Sequence, residues 1–316
     1  MTRNTYSEID ILGINHDQAR IQTEEPLSDR FGEFPRPSGT YENAKAKMEA
    51  ALRTNAPPSP ELIKINAHLN RWESYLGIGQ VSSFPLVLNA AINDICNARC
   101  LFCPYDPKEA TPARLKIENL KNATWLKFVR TFRPNGALAE PLSHPEITEI
   151  LELVREMAPY IELSLTTNAS LMKPQLIEAI TGFVSTMRIS LNAACKESYE
   201  ILMAPLKWEQ TIDNLKRLED AKIRLGTDKP RLIGSYVLNK HNFDELPELP
   251  ALLSSIGIFT VSIVEMYIPP QSNSRKVFSK DDTLQADKEH IQHIYSKFHE
   301  ECERYNVNLT APLPYT

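Results

Sequence analysis

The run Leu86-Val87-Leu88-Asn89-Ala90-Ala91-Ile92 leads directly into Asn93-Asp94-Ile95-Cys96-Asn97-Ala98-Arg99-Cys100-Leu101-Phe102-Cys103-Pro104-Tyr105, and this junction decides how the chain is read. The first stretch is short, apolar and followed by polar residues and prolines, which predicts a buried strand entering a loop. The loop carries three of the chain's five cysteines in a C-x3-C-x2-C spacing. Soft thiolates select iron–sulfur clusters, zinc or cuprous copper. A cubane cluster normally takes four cysteines, so three close ligands without an obvious fourth predict one iron left open for another molecule. Two blander readings compete. Cysteines at this spacing could line a buried helix, but Asn97 and Arg99 are polar and Pro104 would stop the helix. A structural zinc site usually closes four ligands in paired spacings, whereas Cys195 and Cys302 are solitary and distant. His144 is a conceivable fourth ligand, yet Ser143-His144-Pro145-Glu146 reads as a helix entry.

Working outward, short apolar runs alternate with amphipathic stretches. Strands are predicted at Leu86–Ile92, Phe132–Ala139, Ile161–Thr167, Val184–Leu191, Arg231–Leu238 and Phe259–Met266. Helices are predicted between them at 117–131, 145–157, 174–181, 208–221 and 243–256, with a last one at 282–305. In the 208–221 segment, Ile212, Leu215, Leu218 and Ala221 recur at helical spacing while Asp213, Lys216 and Arg217 occupy other faces. Such alternation implies parallel strands joined by right-handed crossovers, an α/β fold. Upstream, Tyr41–Leu52 and a segment opened by Ser59-Pro60 are expected to be helical, the latter with a capping Ser and Pro in its first turn. The expected organisation is an N-terminal extension over 1–80, partly irregular, a core over 81–280, and a C-terminal helix and tail over 281–316.

The composition narrows the function classes. With 316 residues, 42% hydrophobic and 24% charged, the chain can bury a large core and is not broadly disordered. A net charge of −5 gives no electrostatic case for nucleic acid or an acidic membrane, and no apolar stretch is long enough for a bilayer. An odd cysteine count with a tight cluster is unlike a secreted disulfide framework, and the first residues lack a signal-peptide core; the expected location is the reducing cytoplasm.

Ligands in parallel α/β folds sit at the C-terminal ends of strands, so the residues there are the candidates for binding one. After the cysteines come Asn135-Gly136-Ala137-Leu138-Ala139-Glu140-Pro141-Leu142, then Leu165-Thr166-Thr167-Asn168, then Arg188-Ile189-Ser190-Leu191-Asn192, and lastly Glu265-Met266-Tyr267. The cysteine loop, 136–142, 166–168 and 188–192 together resemble the radical S-adenosylmethionine (SAM) superfamily over about residues 84–270. The cysteine loop has an aromatic residue, Phe102, before its last cysteine; 136–142 looks like the family's Gly-Gly-Glu-Pro segment and 166–168 like its Thr-Thr-Asn-Gly strand end.

The resemblance implies a partial (β/α)6 barrel, TIM-barrel-like, with a [4Fe–4S] cluster on Cys96, Cys100 and Cys103 and SAM on the open iron. It implies reductive cleavage of SAM to a 5′-deoxyadenosyl radical that abstracts hydrogen from a small-molecule or peptide substrate, with flavodoxin or ferredoxin as electron donor. Carried over by position, Glu140 would accept from the methionine ammonium, with the Gly136 and Ala137 backbone nearby. Ser190 and Asn192 would face the ribose, Thr166 or Thr167 the pocket wall, and Phe102 and Tyr267 the adenine side. Two departures, Ala139 and Ala169 in place of glycine, question local geometry. Relatives often continue into a cysteine-rich C-terminal extension, which is expected to be absent here. A zinc- or cluster-binding protein with a degenerate, non-catalytic barrel is the alternative. No residue is assigned to acid–base catalysis, and nothing in the sequence marks the substrate.

Overall fold

Capping signals in the N-terminal region are met residue by residue in the computed structural model, which describes residues 36–103, 113–135, 139–266, 283–284 and 286–313. Helix α1 (Tyr41–Arg53) is capped by the Thr40 hydroxyl, which accepts from Asn43 N. Helix α2 (Pro60–Leu76) is capped by Ser59, starts on Pro60 and ends at Gly77 with φ 66°, a left-handed conformation that glycine adopts without a Cβ penalty. These helices belong to one compact unit, residues 1–86 with 127–129. Within it Asn66 is fully buried: its side chain accepts from Phe84 N and donates to the carbonyls of Phe84 and Phe128. The Glu73 carboxylate likewise accepts from the backbone N–H groups of Ser82 and Ser83, so buried polar atoms, rather than apolar contact alone, fix this unit's last turn.

Among the described residues, the second unit, 87–126 and 130–316, holds a sheet of seven strands, all parallel, in the order β1 to β7. The strands are β1 (Val87–Asn89), β2 (Thr131–Arg133), β3 (Glu162–Thr167), β4 (Thr186–Ser190), β5 (Arg231–Leu238), β6 (Thr260–Glu265) and β7 (Asn308–Leu309). Each strand pairs with the next in sequence, which is the winding of a (β/α) barrel; β1 and β7 do not pair, so the barrel is partial. Six strands fall at the predicted segments, but the first two are shorter than expected: β1 takes three residues of 86–92, and β2 ends at Arg133, with 136–138 of the segment expected over 132–139 outside the described residues. The seventh is added by the C-terminal segment, where Thr260 and Val261 pair with Asn308 and Leu309. Two residues show no period, so the sequence pattern could not mark it.

The crossovers are α3 (Ile117–Lys121), α4 (Ile147–Met157), α5 (Pro174–Ile180), α6 (Lys196–Leu202), α7 (Trp208–Leu225), α8 (Leu249–Ser255) and α9 (Lys288–Arg304). In α7, Ile212, Leu215, Leu218 and Ala221 are buried, as their spacing requires, and the helix runs on to a left-handed Gly226. The predicted helix over 117–131 is instead two pieces, α3 and a 3-10 turn at Thr124–Phe128. Thr131 already belongs to β2, which closes the space the helix would need. β4 and β5 bury every second residue, including Met187, Ile189, Leu232, Tyr236 and Leu238, toward the helices. The intervening residues, Thr186, Arg188, Ser190, Ile233, Ser235 and Val237, stay half-buried on the concave side. Among the described residues no helix is long and apolar enough to cross a membrane.

Candidate functional site

The cysteine loop leaves β1 and is pinned on two sides by backbone. Asp94 N donates to Ala113 O and Leu115 N to Ile92 O, forming a short antiparallel bridge at Asn93 and Arg114. Further along, Arg99 N donates to Ala204 O at 2.7 Å and Leu101 N to Leu202 O at 3.0 Å, which ties the loop to the end of α6. Asn93 is the internal brace: its Oδ1 accepts from Ile95 N, and its Nδ2 donates to Glu140 O. Cys96, Cys100 and Cys103 are therefore presented from a fixed backbone, half-buried and unoxidised.

Burial pushes the Cys96 thiol up to about 11, against a lowering hydrogen bond from Ala98 N. Cys100 is raised further, by burial first and then by its two cysteine neighbours. Three such sulfurs repel as thiolates unless a cation lies among them, and soft donors in that arrangement suit an iron–sulfur cluster. Among the described residues no three His, Cys, Asp or Glu side chains gather around a single ion-sized point. A cubane cluster does not require that, because each thiolate meets a different iron. The donor set fits the cluster that the sequence resemblance implies.

Glu140 stands beside this loop, 3% exposed, with its N–H donating to Ile95 O at 3.0 Å. Its Oε1 accepts from Thr167 Oγ1 at 2.6 Å and Leu142 N at 3.1 Å, and its Oε2 accepts from Asn168 N at 2.8 Å. Burial raises its pKa to about 7, opposed by these three donors. A carboxylate offers about four acceptor positions, so the protein fills most of them and leaves room for one more donor. Glu140 also starts the 3-10 turn Pro141–Ser143, as its place before a proline suggests, but as a buried cap rather than an exposed acid. His144 is a structural residue: Nδ1 accepts from Glu146 N, so Nε2 carries the proton and donates to Leu115 O.

The β3 end closes the network. Thr167 Oγ1 accepts from Ala169 N while donating to Glu140, so this hydroxyl faces away from the concave side. Thr166 is half-buried on the opposite face, its N–H donating to Asn135 Oδ1. Asn168 Nδ2 donates to Asn97 Oδ1, Asn97 Nδ2 to Ser170 Oγ, and Ser170 Oγ to Asn168 Oδ1, a closed ring linking the cysteine loop to β3. Ala169 occupies φ 59°, the left-handed region where glycine is favoured. Its carbonyl and that of Ser170 accept from Asn214 Nδ2, which helps hold the turn.

At the β4 end, Ser190 is half-buried on the concave face with Arg188. Asn192, at φ 57° and 2% exposed, accepts from Val237 N at 2.9 Å and donates to Met203 Sδ at 3.2 Å; its amide is engaged at both ends within the protein. Phe102 is half-buried in the cysteine loop, whereas Gly136, Ala137 and Tyr267 lie outside the described residues. Sequence reasoning passed over Asn93, Asn97, Ser170 and Met203. Met203 Sδ accepts from both Cys100 Sγ and Asn192 Nδ2, linking two strand ends. Asparagines clustered at predicted strand ends were the available signal, since their amides cap backbone groups of irregular segments.

Residues 91–253, just over half the chain, match the radical SAM superfamily, and the chain belongs to that superfamily of enzymes. Membership carries with it SAM and an iron–sulfur cluster as the family's cofactors. A probable GTP 3′,8-cyclase of Saccharolobus islandicus is 22% identical over 213 residues, covering 66% of each chain. Streptococcus suis SuiB bound to S-adenosylmethionine superposes with a TM-score of 0.58 at 18% identity, over 86% of this chain and 60% of SuiB. SuiB bound to its precursor peptide SuiA gives 0.56 at 15% identity. The chain thus spans under two thirds of these relatives' lengths, and the structural likeness is one of fold.

Proposed function

We propose that the protein binds a [4Fe–4S] cluster through Cys96, Cys100 and Cys103 and uses it with SAM to start radical chemistry on a small-molecule or peptide substrate. The observation that carries this reading is the cysteine loop, fixed by backbone at the C-terminal end of β1, where Ile95 O accepts from the backbone N–H of Glu140, a residue whose carboxylate is buried. When bound, the cluster supplies the electron for reductive cleavage of SAM to methionine and a 5′-deoxyadenosyl radical, which takes a hydrogen atom from the substrate. The chain's own part is to bind, orient and shield.

Glu140 accepts the SAM ammonium at its remaining acceptor position, and a cation there draws its pKa back down from about 7. The ring of Asn97, Asn168 and Ser170 keeps the cysteine loop and the Thr167–Glu140 pair in fixed relation. Ser190 and Thr166, on the concave face, border the nucleoside, while Asn192 acts from behind by fixing the β4–β5 junction through Val237 N. Gly136, Ala137, Phe102 and Tyr267 complete the cofactor's surroundings by their place in the family pattern. The thiols need a reducing compartment, the cytoplasm, and a flavodoxin or ferredoxin fits as electron donor.

The test is anaerobic reconstitution followed by iron and sulfide analysis, then SAM and dithionite. About four irons per chain and formation of 5′-deoxyadenosine, both lost in Cys100→Ala, are expected. Stoichiometric zinc without SAM binding would replace this reading with a metal-binding adaptor. SAM binding without 5′-deoxyadenosine under strong reductant would replace it with a non-catalytic barrel.

A further inference from the structure

Below the strand ends, the concave side of the sheet encloses a cavity of about 800 Å³. It is lined by five cations, Arg130, Arg133, Arg188, Lys229 and Arg231, against two acids, Glu162 and Asp228. Parallel register sets the heights. Thr166 pairs with Arg188 and Arg188 with Ile233, so Arg188 lies midway up the sheet. Arg133 pairs with Asn89 on the neighbouring side of β3, and Arg231 pairs with Thr186 at the lower edge. Two guanidinium groups, on β2 and β4, thus flank the concave face of β3, with further cations at the lower rim.

None of the five cationic side chains has a hydrogen bond or an ion pair among the described residues, although both acids line the same cavity. Glu162 is instead engaged by the Thr131 hydroxyl, which donates to its Oε2. Elsewhere in the molecule, exposed Lys207 pairs with Glu200 and buried Lys222 with Glu219. Arg188 alone of the five is half-buried, the other four being exposed; a half-buried guanidinium gives up part of its hydration, and its planar fork of donors is normally matched by a carboxylate or phosphate. An excess of five cations over two acids around one cavity also raises the local concentration of anions. The lumen is therefore an unmatched cationic site, which the overall charge of −5 conceals.

We propose that this cavity is the substrate's anion pocket: Arg133 and Arg188 grip a phosphate or carboxylate group of the substrate. Arg188 and Ser190 share one face of β4, two residues or roughly 6.6 Å apart along the strand. A substrate held by its anionic end at Arg188 points its other end toward the strand ends, where radical chemistry begins. The location of that chemistry rests on the reading of the preceding subsection; the anion pocket itself does not.

The experiment titrates the purified full chain at low salt with inorganic pyrophosphate and, separately, succinate, by isothermal calorimetry without iron or reductant. Saturable binding near one per chain is expected for at least one probe, weakening as salt is added. Pyrophosphate alone points to a phosphate-bearing substrate, and succinate alone to a carboxylate. The Arg133→Gln/Arg188→Gln double variant should bind at least tenfold more weakly, whereas an exposed-surface control, Lys216→Gln/Lys297→Gln, should bind as wild type. Arg188→Lys, which keeps the charge and loses the fork, should fall between them and covers the case of a misfolded double variant. The proposal is overturned if neither probe binds the wild type, or if binding survives the double substitution. In a separate titration of cluster-loaded protein, loss of SAM binding in Arg188→Gln would also overturn it, because the anion held would then be the cofactor's own carboxylate. Because the anion titrations are run without a cluster, their failure is distinct from a failure to cleave SAM.

Discussion

The upper rim of the sheet and the cavity beneath it are both polar, yet they handle polarity in opposite ways. At the rim, Glu140, Thr167, Asn168, Asn97 and Ser170 satisfy one another, and each buried donor or acceptor has a named partner within the protein. In the cavity, cationic side chains face open space with no partner among the described residues. Internal satisfaction fixes positions, because removing one partner leaves another buried group unpaired at about 1–3 kcal/mol. Unmatched charge leaves the interaction energy for something that arrives later. The rim is built to hold geometry, and the cavity to attract.

The largest effect expected from breaking that contrast is at the cysteines. Cys96, Cys100 or Cys103 replaced singly by Ala should lose most iron after anaerobic reconstitution, while Cys195→Ala and Cys302→Ala should retain it. Equal iron loss in either of the last two would mean a closed four-cysteine site.

Next in size is Glu140→Gln. One amide face would then meet a backbone N–H, so the melting temperature should fall modestly. SAM affinity should weaken roughly ten- to a hundredfold from loss of a charge-assisted hydrogen bond. Calorimetric titration of cluster-loaded protein measures it, and an unchanged affinity would confine Glu140 to bracing the rim.

Thr167→Val removes the 2.6 Å donor to Glu140 while nearly keeping volume, and should destabilise the protein by about 1–3 kcal/mol in chemical denaturation. Arg133→Gln in the cavity should change stability by less than about 0.5 kcal/mol, since it breaks no internal bond. Similar losses for the two variants would erase the distinction between rim and cavity.

The smallest effect is at Ala169. Its left-handed φ of 59° costs an alanine about 1–2 kcal/mol, so Ala169→Gly should relieve strain, offset by the extra freedom of glycine when unfolded. A net gain of roughly 0–1 kcal/mol is expected. Asn192→Gly, at a similar φ of 57°, should be destabilising, because its amide bonds to Val237 N and Met203 Sδ disappear.

Strands β3 to β6 and helix α7 were legible because burial acts on local period: alternate residues of β5 and the 212–215–218–221 stripe of α7 are buried as their spacing dictates. Segments that lack a period were not. The two-residue β7 exists because Thr260 and Val261 offer an edge to pair with, and the helix expected over 117–131 is cut short by β2. The cysteine spacing and the order of strand-end residues were enough to place the chain in its superfamily, since those residues are close in sequence and their chemistry is local. Which threonine turns toward Glu140, and that Asn192 spends both ends of its amide inside the protein, depends on strand pleat and on partners dozens of residues away. The cationic cavity belongs to the same category. Arg130, Arg133, Arg188, Lys229 and Arg231 are scattered among acids along the chain; parallel register places Arg133, Arg188 and Arg231 on one concave face, and Arg130 and Lys229 join them from the segments just before β2 and β5. Sequence fixes the order of charges along the backbone, but electrostatic potential depends on distance in space, which is set when the sheet forms.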